Sequence, residues 1–324
     1  MQDLLKRILL WAFVYSFASC SERNNTEPFT EDVVYRTFGN SSGNYYVSIV
    51  PNNEIKGLIV LLPGFWALPQ NFLSEIKLDS LATQNRLMMI VASPQGWGTH
   101  YFDNASIDTL DQMIKEVSQK YSLDGKKLVI GGFSIGGTGA LRYAEFFSEE
   151  KSTHDLKLTG AFVVDAPLDF ERGWFTMERT VKRNLHPEAV EEANCFLDLI
   201  KKHLEGSPKD YIRNYHTVSP YSATAENGGK AALLKDLPMR FYTEPDTIWW
   251  KENRGSEYKD LNAHDMDGMV GQLRVLGNKE IELITTKNKG YRKDGRRHPH
   301  AWSIVDEEEL IKWVLGRIEN AETN

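Results

Sequence analysis

Five residues, Gly132-Phe133-Ser134-Ile135-Gly136, combine a hydroxyl nucleophile with glycines two positions before and two after it. The pentapeptide is common enough by chance that its surroundings must make it informative. Leu128-Val129-Ile130 is a short apolar, β-branched run that follows the turn signal Asp124-Gly125, so the serine falls at the C-terminal end of an expected strand. Behind it, Gly137-Thr138-Gly139-Ala140-Leu141 supplies the small residues of a helix that packs closely under the turn. A strand-turn-helix this sharp strains the backbone of the middle residue, and the flanking glycines remove the Cβ atoms that would clash. Ser134 would then project above the sheet. A serine hydroxyl is a weak nucleophile at neutral pH and needs a base, normally histidine. An acid must in turn orient that base.

The elements that would position such a set can be read from periodicity. Strand patterns occur at 33–38, 45–50, 58–62, 87–92, 128–132, 161–164, 239–243 and 281–285. From the third onward they alternate with helical stretches at 69–83, 110–121, 136–147, 260–276 and 307–318, the pattern of a parallel sheet covered on both faces. The first two strands lack an intervening helix and predict an antiparallel edge. Between the strands at 161–164 and 239–243 lie more than about seventy residues, too many for a crossover helix alone. Helical patterns near 173–184 and 187–204, followed by a Ser-, Gly- and Asn-rich loop at 206–230, fill that interval.

The serine motif and this element order resemble the α/β-hydrolase superfamily over nearly all of residues 31–318. The resemblance implies an α/β fold with an eight-stranded, mostly parallel sheet and helices on both faces. Its core would span 31–167 and 237–324, with a helical cap inserted at 168–236. It also implies the chain order serine, acid, histidine. Asp246, a few residues beyond the strand at 239–243, is the favoured acid; Glu244 in the same loop and Asp165 after the preceding strand are the alternatives. His300, followed by Ala301 and Trp302, is the favoured base, with His298 as the alternative. The oxyanion donors would be the N–H groups of Ile135 and of Phe65, with Trp66 next in line, in Pro63-Gly64-Phe65-Trp66. Aromatic residues in the same loops, Trp66, Trp97, Trp249 and Trp302, are expected to line a substrate pocket.

The bulk properties narrow the partners. With 324 residues, a formal net charge of −7 and mixed charges throughout, the chain carries no recurrent basic surface for nucleic acid. The basic cluster Arg292, Lys293, Arg296, Arg297 reads as a solvated loop, or secondarily as a rim for an anionic substrate. At the N-terminus, Lys6 and Arg7 precede an apolar stretch at 8–18 too short to span a bilayer. It ends in Phe17-Ala18-Ser19-Cys20, which resembles the lipobox of bacterial lipoproteins, with Phe17 where leucine is usual. That resemblance implies a signal peptide at 1–19, lipidation of Cys20 and a tether at 20–30. It also implies a place in the bacterial cell envelope, with Ser21 after the cysteine favouring the outer membrane. Cys195 would then have no disulfide partner and would be a buried, inert thiol.

No phosphate-cradling or dinucleotide motif is present, and His298-Pro299-His300 lacks a third ligand at metal spacing, so neither cofactor nor metal is expected. Three functions compete at this stage. The first is a serine hydrolase cleaving carboxylic esters through an acyl-enzyme. The second is an exopeptidase or amidase with the same triad, acting on a short peptide. The third is an envelope binding protein that keeps the fold without the chemistry.

Overall fold

A computed structural model describes residues 29–36, 44–94, 100–101 and 103–319. The expected signal peptide at 1–19, Cys20 and Trp97 lie outside the described residues. Residues 29 and 30, placed in the tether by sequence, open the first strand.

Eight strands form one sheet: β1 (Phe29–Arg36), β2 (Asn44–Pro51), β3 (Gly57–Leu62), β4 (Leu87–Ser93), β5 (Lys127–Phe133), β6 (Lys157–Val164), β7 (Met239–Thr243) and β8 (Ile281–Thr285). Their order across the sheet is β1-β2-β4-β3-β5-β6-β7-β8. The β1–β2 and β2–β4 pairings are antiparallel and all others parallel. The chain order reverses around β3, so the crevice beyond the carboxyl ends of β3 and β5 is where such a sheet receives ligands.

The central strands are buried on both faces, and their period-2 alternation sorts the side chains into two cores. Leu58, Val60, Leu62, Met88, Ile90, Leu128 and Ile130 pack on one side. Ile59, Leu61, Met89, Val91, Val129, Phe162 and Val164 pack on the other. Each such side chain contributes about 1.5–3 kcal/mol on burial, and a one-residue slip of a strand would exchange its two sets between cores.

Ten α-helices and three 3-10 helices complete the described fold; the α-helices are α1 (Pro69–Leu73), α2 (Leu78–Gln84), α3 (Asn104–Tyr121), α4 (Ile135–Ser148), α5 (Phe170–Arg183), α6 (Pro187–Leu204), α7 (Pro208–Val218), α8 (Thr247–Arg254), α9 (Asn262–Val275) and α10 (Glu307–Glu319). The single helix expected over 69–83 is two, separated by a turn at Ser74 and Glu75. The stretch expected as loop from 206 contains α7, started by Ser207, whose side chain accepts from Lys209 N, and by Pro208 in the first turn. Between β6 and β7, α5 and α6 pack against each other and α7 packs against both.

An ion-pair lattice joins α5 to the segment leading into α9. Arg172 grips Asp265 through Nε and, at 2.7 Å, through Nη2, while Arg179 reaches Asp260 at 2.6 Å and Arg183 reaches it at 3.4 Å. Burial works against the charge on Asp265, yet Arg172 and the neighbouring donors hold its carboxyl below the ordinary value. Removing one partner would strand a buried charge, so the lattice fixes where α5 sits.

Glu145, on α4, is buried without such compensation: burial raises its carboxyl from 4.5 to about 8 although Arg142 and Lys230 oppose the shift, and Oε1 has no hydrogen-bond partner. Between those two values the folded chain holds a proton that the unfolded chain releases. The stabilisation is therefore complete at low pH and is lost as pH rises through the folded value. Thermal unfolding followed by circular dichroism is expected to show Tm falling from about pH 5 to 8, with Glu145→Gln flattening that decline. An unchanged slope in the variant would place the proton elsewhere.

Candidate active site

The site begins with a backbone contact. A Cβ at residue 132 would lie 2.2 Å from the carbonyl group of Gly136, and a Cβ at 136 would lie 2.2 Å from the carbonyl oxygen of Leu62. These obstacles are main-chain atoms that cannot rotate away, so only glycine allows the first turn of α4 to press against the ends of β3 and β5. The turn leaves Ser134 at φ 54°, ψ −129°, outside the regions comfortable for a residue with a side chain. Its N–H is fixed by the carbonyl of Val164 at 2.8 Å, and its carbonyl accepts from Gly137 N at 2.9 Å. Strain of this kind costs on the order of 1–3 kcal/mol and persists only where its surroundings dictate it.

Two further loops carry a residue with positive φ beside the serine. Trp66 has φ 58° in the turn after β3, and Asp165 has φ 45° directly after β6. A Cβ on Gly64 would come within 3.4 Å of the Ser134 Cβ, which places the turn at 64–66 alongside the serine. Ile135 is the first residue of α4, where backbone N–H groups have no partner within the helix. Gly64 and Phe65 line a cavity of about 450 Å³ together with Ser134 and His300. A second cavity of about 190 Å³ is lined by Ser134, Ile135 and His300 from the sheet side, and by Phe170, Met177, Ala193 and Phe196 of α5 and α6. Ser134 and His300 thus sit where the two spaces meet.

His300 Nδ1 lies 2.6 Å from Asp165 Oδ2. The other carboxylate oxygen, Oδ1, accepts from Thr243 Oγ1 at 3.0 Å, the Asp165 N–H donates to the Tyr242 carbonyl, and its own carbonyl accepts from Asn262 Nδ2. Asp165 is therefore anchored from three sides and buried. The His300 ring stacks on Phe133, the residue before the serine, with centroids 4.7 Å apart.

Asp246, favoured from sequence as the acid, has different partners. Its Oδ1 caps α8 by accepting from Trp249 N at 3.0 Å, and its Oδ2 pairs with Arg297 at 2.7 Å. Glu244 is likewise engaged: it pairs with Arg297 and accepts from Thr286 Oγ1, Lys289 N and Gly290 N. Both acids after β7 hold the 286–297 loop that leads to the histidine. The carboxylate on the histidine comes from β6 because β6 is the strand adjacent to β5, while Asp246 lies one strand further out and opens a helix.

The alternative base, His298, pairs with no carboxylate among the described residues. Its ring packs on Trp249 with centroids 4.7 Å apart, Nδ1 is buried without a partner, and burial, reinforced by Arg292, lowers its pKa to about 3. Of the aromatic residues expected to line a pocket, Trp66 does so. Trp249 stacks on His298, and its neighbour Trp250 lines the smaller cavity instead. Trp302 is buried in the core, edge-on to Phe72, with its indole N–H donated to Glu307. It is a packing residue, because the short 3-10 turn at Trp302–Ile304 directs it under the sheet. Cys195, expected to be buried, is half-buried and lines the larger cavity; burial and nearby carboxylates push its thiol up, against the reactive thiolate. Among the described residues, the one group of three side chains within reach of a common metal ion is His100, Asp103 and His203, and it includes neither Ser134 nor His300.

No family model matches the sequence. No curated protein matches it either. Solved structures do. The fold is similar to carboxyl esterase 2 from the fungus Tuber melanosporum, with a TM-score of 0.59 at 14% identity, over 99% of this chain and 97% of that one. It is similar to a hormone-sensitive lipase from a metagenome library, with a TM-score of 0.58 at 14% identity, over 97% and 92% of the two chains. It also resembles the acylaminoacyl peptidase of Pyrococcus horikoshii, with a TM-score of 0.59 at 13% identity, where 91% of this chain spans 42% of the longer one. Sheet order, the strained serine turn and these likenesses agree on one conclusion: the chain has the α/β-hydrolase fold.

Proposed function

We propose that the chain is a serine hydrolase that cleaves carboxylic esters through an acyl-enzyme on Ser134. The observation that carries this reading is the strained Ser134, lining the same cavities as a histidine whose Nδ1 is held 2.6 Å from a buried carboxylate, Asp165. With an ionised carboxylate as its partner, Nδ1 carries the hydrogen and donates it, which leaves Nε2 to act as base. His300 takes the proton of the Ser134 hydroxyl as the oxygen attacks the ester carbon. The oxyanion then collects hydrogen bonds from Ile135 N–H and Phe65 N–H, each worth about 3 kcal/mol by mutational precedent. Collapse expels the alcohol, protonated by His300, and water repeats the sequence on the acyl-enzyme. Asp165 fixes the imidazole and offsets the charge it gains.

The walls of the smaller cavity favour an ester. Phe170, Met177, Ala193, Phe196 and Ile200 make most of its wall apolar beside the serine, suited to a hydrocarbon acyl or alcohol group, and Arg172, Glu192, Arg254 and Asp260 complete the wall with charge. The helices of residues 168–236 supply those walls and act as the cap. On the same reading the protein is exported and tethered to the bacterial outer membrane by lipid on Cys20.

Hydrolysis of short p-nitrophenyl esters is the direct test, and aminoacyl anilides run in parallel would move the assignment to a peptidase if their turnover dominates. Labelling by a fluorophosphonate should disappear in Ser134→Ala; labelling that persists would remove Ser134 as the nucleophile. Asp165→Asn is expected to lower kcat by about 10⁴, while Asp246→Ala should leave kcat within about threefold of the parent and act on stability instead, by about 0.5–2 kcal/mol for a lost helix cap. The reverse ranking would return the acid to Asp246. For the anchor, radiolabelled palmitate should be incorporated by bacteria expressing the full chain and not by those expressing Cys20→Ser; equal incorporation would exclude that cysteine.

A further inference from the structure

The fold also brings two histidines and a carboxylate together away from Ser134, from segments about a hundred residues apart in the chain. His100 precedes α3, Asp103 is the N-cap of α3, and His203 stands in the last turn of α6. One ligand atom from each lies within 4.8 Å of the others, and the two imidazole centroids are 4.1 Å apart with ring planes at 58°.

The pieces are held in place by bonds that do not depend on one another. The carbonyl of Tyr101 accepts from Arg142, and the Tyr101 ring lies so close to α4 that a Cβ at Gly139 would come within 2.6 Å of it. His100 is buried beside this anchor. Asp103 caps its helix through Oδ1, which accepts from Ser106 N and Ser106 Oγ, both at 2.8 Å. His203 arrives on a helix whose other turns are fixed by Leu197, Ile200 and Leu204 in the core.

Two imidazole nitrogens and one carboxylate oxygen form the donor set of a borderline divalent cation, whereas magnesium and calcium favour all-oxygen sites. Neighbouring ligands about 2.0–2.1 Å from a tetrahedral ion are about 3.4 Å apart. The donors here need only draw in from within 4.8 Å, a movement within the reach of side-chain torsions. We propose that His100, Asp103 and His203 bind a divalent transition-metal ion of the zinc class, and that the ion clamps the C-terminal end of α6 to the loop entering α3. Three protein donors leave a fourth position for water.

The placement gives the clamp a consequence. Helix α6 carries Glu192 and Phe196, which line both cavities beside Ser134. The loop at 100–101 rests on α4, the helix that begins at the serine turn. The ion would therefore tie a wall of the site to the segment that rests on α4. The clamp stands whether or not Ser134 is a nucleophile, because none of its ligands belongs to the serine site.

The test uses the full chain, stripped with chelator, dialysed and titrated with zinc chloride by calorimetry, with thermal unfolding measured on the same samples. One equivalent should bind saturably and raise Tm by mass action. His203→Ala, at a half-buried helix position, should weaken that binding by more than about 100-fold while its metal-free Tm stays close to that of the metal-free parent. His216→Ala and His264→Ala, at histidines outside the cluster, should bind as the parent does. Failure of the parent to bind zinc saturably, or retention of the full equivalent by His203→Ala, would overturn the site.

Discussion

Everything at the site depends on how closely the first turn of α4 approaches the ends of β3 and β5. At Gly132 and Gly136 the separation is that of main chain against main chain, with no room for a methyl group. That contact forces Ser134 into its strained conformation and places the head of α4 at the point where the sheet order reverses. The strain is sustained by burial of the surrounding strands, whose side chains are enclosed on both faces. A loosely packed sheet would relax it, and the serine would lie down among its neighbours.

The charged groups around this frame fall into two kinds. Some build: Arg172 with Asp265, Arg179 with Asp260, and Arg297 with Glu244 and Asp246 fasten helices and loops that would otherwise touch through few apolar contacts. One carboxylate meets imidazole instead. Asp165 is held by Thr243, Tyr242 and Asn262, yet one oxygen faces His300. The difference lies in partners, since Asp265 and Glu244 are buried as Asp165 is. An acid enclosed by arginine is committed to structure, whereas one facing imidazole can steady a proton in transit.

Much of the fold was legible because its signals are local. Strand positions followed from apolar runs of four to six residues, and six of the eight observed strands, β2 to β5, β7 and β8, lie within about two residues of the expected ranges at either end; β6 starts four residues early, at Lys157, because Lys157, Thr159 and Gly160 interrupt the apolar pattern there. Helix α7 was hidden for the opposite reason. Its sequence, Pro208 to Val218, is polar on most faces and buries only Pro208, Tyr215 and Val218. Trp302 was misread because an aromatic residue close to a histidine in the chain need not share its surroundings, and the 3-10 turn that begins at Trp302 keeps the indole in the core.

By itself the sequence determined where a sharp turn at Ser134 could close, since glycine at 132 and 136 removes the Cβ atoms that would hold the main chains apart. It also determined the alternation of strands and helices, which hydrophobic period alone encodes. Only the tertiary structure decided which carboxylate meets His300. Asp165, Glu244 and Asp246 all follow strands, and what separates them is the order of β5, β6 and β7 across the sheet. The same holds for His100, Asp103 and His203, which no spacing in the chain could have joined. Such pairings arise from long-range packing, where the energy comes from burying surface and the identity of the neighbour follows from topology.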